Sequence, residues 1–418
     1  MESNVNIKKL GIGSTVAVFV AYTCSVSTVP NGAVIGEHTT FGTGLAGIAL
    51  GFIIGSVIAI LSSWIGYKTG LGKDIIWKQI FGRKGFMLCS FIFGFCQAFW
   101  ACFDFFNAGQ ALYNLIPEGS IFKHVGFCIA VCIMLVITII GGVFGISGVK
   151  WISTATIPVA IILFAIIYFC SLKVAGGFEG LSAYVPADGG TLNITDCAQI
   201  VYGMWMAGFV GMMDLTTECK STKCVVWAGI LSVAFIALCF MVGQVGFIGT
   251  GMKTVGDLCL SLGGAVFICG NIFVILAQAN TTPACNLMYS NSFSTGLNVK
   301  RTPVAIIVPC IVAILAFVIM YGPGVDFISR ITNTVSTLMS PLVGVQLAEF
   351  YVVAKKAYNV EEEESLPIIR PTAFICLLIG VALSFVFNNI PGMPLPGVCT
   401  IVGTGILHII GRLGLKMK

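Results

Sequence analysis

Gln97, Trp100, Asp104 and Asn107 stand at i, i+3, i+7 and i+10, a spacing that puts an amide, an indole, a carboxylate and a second amide on one face of a helix. Such a stripe is costly to point at lipid. Ionisable side chains within a membrane nearly always face the bundle interior or a water-filled cavity, where they mark a substrate or ion pathway. The alternative is a structural hydrogen-bond network between helices. A second set is Gln278-Ala279-Asn280-Thr281-Thr282-Pro283. Paired hydroxyls beside a backbone disrupted by Pro283 offer the hard oxygen ligands that a sodium ion accepts. Against that, threonine hydroxyls often bond back to the helix carbonyl four residues earlier, with no ligand at all.

The elements that must hold these groups are membrane helices. Of the 418 residues 57% are hydrophobic, 50 are glycine and only 9% are charged, and the mean hydropathy is +1.00. Soluble domains carry about 25% charged residues, so a soluble globular chain is excluded. At about 20 apolar residues per crossing, the composition predicts twelve transmembrane helices in an all-α membrane protein. Apolar runs place them near 10–34, 43–66, 86–115, 125–146, 150–172, 197–213, 224–249, 262–288, 302–321, 325–353, 367–388 and 396–412. The longest polar stretches, Lys68 to Gly85 and Lys173 to Asp196, are too short for a soluble domain. Any chemistry is therefore expected inside the membrane.

Two spans read as interrupted. The first contains Thr23 to Gly32 with Ser25 and Pro30, and Pro30 removes a donor and clashes with the preceding turn. The sixth is short, is punctuated by Gly203, Gly208 and Gly211, and runs into Asp214. Interrupted helices at corresponding places in two halves point to a secondary transporter built from inverted repeats, here two five-helix repeats plus two extra helices. The alternative is a simple kink with glycines that permit close packing. At about 1.5 Å per residue, Ser25 and Trp100 lie about 22 and 21 Å from the inner face, and Trp205 and Gln278 about 12 and 24 Å from the outer face. In a core about 30 Å thick all four are deep, so Trp100 is no interfacial anchor.

With a cytoplasmic N-terminus, only Lys123, Lys173, Lys253 and Arg330 of the 22 basic residues fall outside, which supports both an even helix count and cytoplasmic termini in an inner-membrane protein. No cleavage pattern follows Lys8 and Lys9, so the first run is expected to be a retained helix. Seventeen cysteines lie singly in apolar runs, as small buried residues rather than disulfides. The run Glu361 to Glu364 is expected to be a solvated face. A net charge of +5 spread over short loops is no nucleic-acid footprint. An enzyme would need a nucleophile, base or metal cluster, yet His38, His124 and His408 sit near span ends without paired ligands. A channel would more often be an oligomer with a pore-lining ring.

Several segments carry a resemblance. Gln97-Ala98-Phe99-Trp100, Ser147 through Pro158, Gly177 through Leu181 before "YVP", Gly203-Met204-Trp205, Thr281-Thr282 and Pro341 through Glu349 resemble the nucleobase:cation symporter family of purine/cytosine permease type. Ile65 to Leu71 and Phe81 to Gly85 add to the likeness, which is nearest to the cytosine permease branch and spans nearly the whole chain. It implies one transporter domain over residues 1–418: repeat one near 10–172, repeat two near 197–353, extra helices near 367–412, with helices 1 and 6 discontinuous. It implies import of a nucleobase or related planar heterocycle by alternating access, without cofactor and with sodium as the coupling ion. By that likeness Gln97, Trp100, Gly203, Trp205 and Gln278 bind substrate, the two tryptophans sandwiching the ring and the two amides reading its edge. Thr281 and Thr282 would join helix 1 carbonyls near Ser25 around sodium.

The chain departs from the branch at Trp205, Gln278 and Ala207, where Phe, Asn and Ser are usual, and at Asp104, where a small residue is usual. A pyrimidine, purine or hydantoin-like ring thus remains open. Asp104 is added to the substrate site as counter-ion, acceptor for a ring N–H, or proton-linked switch. The same fold with Asp104 as counter-ion would serve an amine or amino-acid symporter. The expected partners are a small molecule and membrane lipid, not nucleic acid, with the chain a monomer.

Overall fold

A computed structural model describes residues 10–414 except 24, 145, 323–325 and 357–362, and the side chains of 21, 146–157, 326–333 and 363 are not described either. Lys8, Lys9, Glu361, Glu362 and most side chains of the Ser147 to Pro158 motif lie outside the described residues. The described residues are almost wholly helical: α1 (Ile12–Thr23), α2 (Val29–His38), α3 (Phe41–Thr69), α4 (Lys73–Phe81), α5 (Gly85–Leu115), α6 (Phe122–Phe144), α7 (Ile146–Val174), α8 (Gly177–Ala183) and α9 (Ile194–Met204). They continue as α10 (Met206–Thr216), α11 (Thr222–Thr250), α12 (Val255–Leu262), α13 (Gly264–Leu297), α14 (Arg301–Tyr321), α15 (Asp326–Ala348), α16 (Pro371–Asn389) and α17 (Pro396–Gly414). Among the described residues nine helices are long and apolar enough to cross a membrane, and α7 with α8 forms a further pair bent by 69°.

The chain runs as two short helices at two places. Between α1 and α2 lies a single 3-10 turn, Val26–Thr28, entered through Ser25 in an extended conformation (φ −110°, ψ 117°). Pro30 sits in the first turn of α2, where its missing N–H leaves no bond unmade, and the carbonyl four residues earlier that it cannot bond, that of Val26, belongs to the 3-10 turn. Between α9 and α10 the backbone leaves helical geometry at Trp205 (φ −94°, ψ 7°). Pro283, in contrast, lies inside an uninterrupted α13. The polar stretches Lys68 to Gly85 and Lys173 to Asp196 contain the short helices α4 and α8.

Local chemistry sets several ends. Asn193 caps α9 through its side chain, accepting from Thr195 N and Asp196 N, while Asp196 accepts from the Asn193 backbone. Asn298 closes α13 at φ 55°, a left-handed position that asparagine tolerates better than most residues. Small residues set the packing distance of α2 on α11: a Cβ at Gly32 would lie 2.2 Å from Phe240 O, and one at Gly243 would lie 2.1 Å from Val29 O. The most extensive helix pair is α5 with α13, the two helices that carry the polar stripes. Both are central, whereas α16 and α17 turn most of their surface outward.

Candidate substrate and ion site

Asp104 is where the interrupted helix meets the stripe on α5. It is buried (1% exposed), and its Oδ1 accepts from Ser25 Oγ at 3.0 Å and Ser27 Oγ at 2.8 Å. The extended residue Ser25 makes no side-chain bond to the turn it precedes, because its hydroxyl is directed to Asp104 instead. Ser27 Oγ also accepts from Asn107 Nδ2 at 2.8 Å and from Gln278 Nε2 at 3.0 Å. One hydroxyl thus ties the break between α1 and α2 to α5 and α13. Together these bonds anchor the non-helical segment to neighbouring helices, as interrupted membrane helices require.

A cavity of about 20 Å³ lies beside this network, lined by Tyr22, Ser25, Gln97, Trp100, Asp104, Trp205, Gly208, Thr281 and Cys285. That is about the room of one water, so a planar ring must part these side chains to enter. Tyr22 donates to Gln97 Oε1 at 3.2 Å and packs edge-on against Trp205, ring centroids 5.8 Å apart and planes at 85°. Trp205 Nε1 donates to Thr28 Oγ1 at 3.3 Å. Gly208 is needed under the indole, because a Cβ there would lie 2.6 Å from Trp205 Cε3. In this network three buried polar atoms find no hydrogen-bond partner among the described residues: the donor Gln97 Nε2 and the acceptors Asp104 Oδ2 and Gln278 Oε1. Such atoms cost about 1–3 kcal/mol each when left unsatisfied, so a ligand that pairs them gains that much selectivity. Among the described residues no lysine, arginine or histidine lies within ion-pair distance of Asp104.

Of the residues singled out from the sequence, Ser25, Gln97, Trp100, Asp104, Trp205 and Thr281 line this one cavity. Gln278 does not line it and reaches the network through Ser27. Gly203 lies elsewhere: a Cβ there would meet Ser336 Oγ at 2.8 Å and Gln199 Nε2 at 3.0 Å, so this glycine lets α9 approach α15. Both threonine hydroxyls bond backward, Thr281 to Ala277 O at 3.4 Å and Thr282 to Gln278 O at 3.1 Å. Thr282 Oγ1 additionally accepts from Thr138 Oγ1 on α6 at 2.8 Å, on the side away from the cavity. Tyr22, Cys285 and the hub Ser27 carried no signal of their own in the sequence, since a tyrosine, a cysteine and a serine within apolar runs fit ordinary packing. Gly208 was visible only as punctuation.

A second polar cluster lies between α4, α5, α10 and α13. Lys73, fully buried, donates from Nζ to Asp214 Oδ2 at 2.7 Å and Asp74 Oδ2 at 3.0 Å, and its Nζ lies 4.4 Å from the Phe93 ring centroid. Ser90 donates to Asp74 Oδ1 at 2.6 Å. Burial alone would push the Lys73 ammonium below the usual lysine range, but the two carboxylates overcome this and hold it above.

No family model matches the chain. It is 25% identical over 357 residues to the cytosine permease of Escherichia coli (strain K12), covering 82% of this chain and 80% of that protein. Among solved structures, Mhp1, a nucleobase-cation-symport-1 family transporter in a closed conformation with bromovinylhydantoin bound, aligns with a TM-score of 0.82 at 16% identity over 99% of this chain and 94% of the other. A substrate-bound, outward-open Na⁺-coupled sialic acid symporter aligns at 0.64 and 13% identity, covering 98% and 91%. A manganese transporter of Eremococcus coleocola aligns at 0.62 and 12% identity, covering 99% and 97%. The chain is a multi-pass membrane protein with an Mhp1-like, all-helical fold, and the resemblance to nucleobase:cation symporters read from its motifs is supported along most of its length.

Proposed function

We propose that this chain is a cation-coupled symporter that imports a nucleobase or similar planar heterocycle by alternating access, and not an enzyme. The observation that carries the reading is the cavity at the two helix interruptions, walled by Trp100 and Trp205 and presenting the unpartnered Gln97 Nε2 and Asp104 Oδ2. Two indoles in its lining offer stacking worth about 1–3 kcal/mol per base, tolerant of ring identity, and the open donor and acceptor select the edge. The permease relative is named for cytosine and Mhp1 was solved with a hydantoin, both planar heterocycles. In this reading α1 with α2, and α9 with α10, each form one discontinuous span, giving twelve spans in a five-plus-five inverted repeat with both termini cytoplasmic. Sodium is the proposed coupling ion, held by Thr281 and backbone carbonyls near Ser25, while Thr282, whose hydroxyl turns to Thr138, supports α13 from behind. The chain would work as a monomer.

A second reading, an amine or amino-acid symporter, is favoured by one observation: Asp104 is a buried carboxylate with an open oxygen and no counter-charge among the described residues. Thermal-shift titration of the purified protein with nucleobases, hydantoins, amines and amino acids, with and without sodium, separates the two. Stabilisation by a neutral heterocycle supports the first reading, and stabilisation by amines alone supports the second.

A further inference from the structure

A groove of about 300 Å³ runs between α3, α15 and α17 and shares no residue with the substrate cavity. Its lining is apolar except for the hydroxyl of Tyr351, which donates to Leu61 O at 2.9 Å. Beneath it α15 and α17 touch at Gly344, where a Cβ would lie 2.4 Å from Ile401 O. One end of the groove carries aromatic and basic side chains. On α3, Leu61, Trp64 and Lys68 share a face at i, i+3 and i+7, which sets Lys68 about 10 Å beyond the groove wall at Leu61. Trp64 stacks on Tyr351, ring centroids 5.7 Å apart and planes at 13°. Lys68 Nζ lies 5.2 Å and Lys356 Nζ 5.4 Å from the Trp64 ring centroid, so two ammonium groups converge on one indole. Among the described residues no carboxylate lies within ion-pair distance of either. The backbone is shaped to bring Lys356 there. The helix α15 runs into a single π turn, Glu349–Val353, after which Lys355 and Lys356 stand at φ 51° and 63°, with Lys356 N donating to Phe350 O at 2.9 Å. Two successive lysines in the left-handed region are uncommon and persist only where the surroundings compensate them.

We propose that this groove holds one anionic phospholipid, its phosphate at Lys68 and Lys356 and an acyl chain along the apolar walls. Charge selects the occupant. Two ammonium groups gathered at one ring repel each other, and a phosphate beside them removes that repulsion. A zwitterionic headgroup would bring a further cation to the same place. A second copy of this chain, docking by the same face, would bring two more ammonium groups. A free phosphate ion would leave the apolar groove unfilled. The setting fits a lipid as well. Tryptophan and tyrosine gather where the hydrocarbon meets the headgroups, and the lysine and arginine asymmetry assigns this end of α3 to the cytoplasmic side, where anionic lipids attract basic side chains. No residue of the substrate or ion site takes part, so the lipid site stands or falls apart from the proposed function.

Native mass spectrometry of the purified full chain, titrated with phosphatidylglycerol and with phosphatidylcholine of the same acyl chains, tests it. The wild type is expected to retain one phosphatidylglycerol several-fold more strongly than phosphatidylcholine. The variant Lys68→Gln/Lys356→Gln, altered at two exposed positions, is expected to hold the two lipids equally, and Lys68→Arg/Lys356→Arg to keep the preference. Val402→Trp, which fills the groove, is expected to lower retention of both lipids. Equal retention of the two lipids by the wild type, a preference unchanged in the double glutamine variant, or retention unchanged in Val402→Trp would each overturn the proposal. So would displacement by glycerol phosphate, which has the headgroup charge without the chains, or a dimer that excludes lipid.

Discussion

At the residue scale the account rests on two indoles and one carboxylate. Trp100→Ala and Trp205→Ala should each weaken heterocycle binding by about 1–3 kcal/mol, with Trp→Phe milder, as measured by equilibrium binding to purified protein. Normal binding in both alanine variants would remove the ring sandwich. Asp104→Asn keeps volume and hydrogen-bonding capacity while deleting the charge. A neutral substrate should still bind measurably with its pH dependence lost, whereas collapse of binding at every pH would identify a cationic substrate. For the ion, Thr281→Ala should reduce sodium-stimulated binding more than sodium-free binding. Thr281 faces the cavity while Thr282 turns to Thr138, so Thr282→Ala should have the smaller effect on binding and the larger one on α6 packing. Gln97, Trp100 and Asp104 were legible because polar side chains stand out in an apolar helix. Gly203 was misplaced because the resemblance supplies a motif, not the direction in which a glycine's missing side chain would point.

At the element scale the long helices were legible from hydropathy, since lipid demands an apolar run of fixed length. The first break lies inside the stretch Thr23 to Gly32 that the sequence marks as interrupted, but the bonds that hold it open were not legible. Pro30 is compatible with a first turn and bars the helix from continuing back through Val26, whereas the bonds of Ser25 and Ser27 to Asp104, contacts across 77 to 79 residues, are encoded by no local pattern. Short α4 and α8 were likewise hidden in polar stretches. Lys73 on α4 offers a direct test of how that end of the bundle is held. Lys73→Ala would leave Asp74 and Asp214 uncompensated in a buried site and should destabilise the protein by about 3–5 kcal/mol, read by thermal unfolding in detergent. Because the carboxylates hold the Lys73 pKa above its unfolded value, this contribution is complete below that unfolded value and is lost as pH rises through the folded one. An unchanged melting temperature in Lys73→Ala would contradict the assignment. Gly243→Leu should separate α2 from α11, because no space exists for a side chain against Val29 O.

At the scale of the whole molecule, the asymmetry of lysine and arginine predicts topology. A cysteine placed at Lys84, exposed in the polar stretch that contains α4, should react with an impermeant maleimide only from the cytoplasmic side, and one at Met252, exposed after α11, only from the other. Labelling of both from one side would refute the orientation. That the chain is an all-helical membrane protein followed from composition and period, whereas the closeness of the cavity did not, because the room left between side chains depends on how distant helices pack.

The central claim is that the indole-walled cavity binds a planar heterocycle. Its most direct test is competition binding on purified wild type and Trp100→Ala, using a radiolabelled nucleobase panel in sodium buffer with amines and amino acids as competitors. The account predicts saturable binding of at least one nucleobase or hydantoin, displaced by other planar heterocycles and weakened in Trp100→Ala. Binding of amines or amino acids with no heterocycle bound, or heterocycle binding indifferent to Trp100, would contradict it.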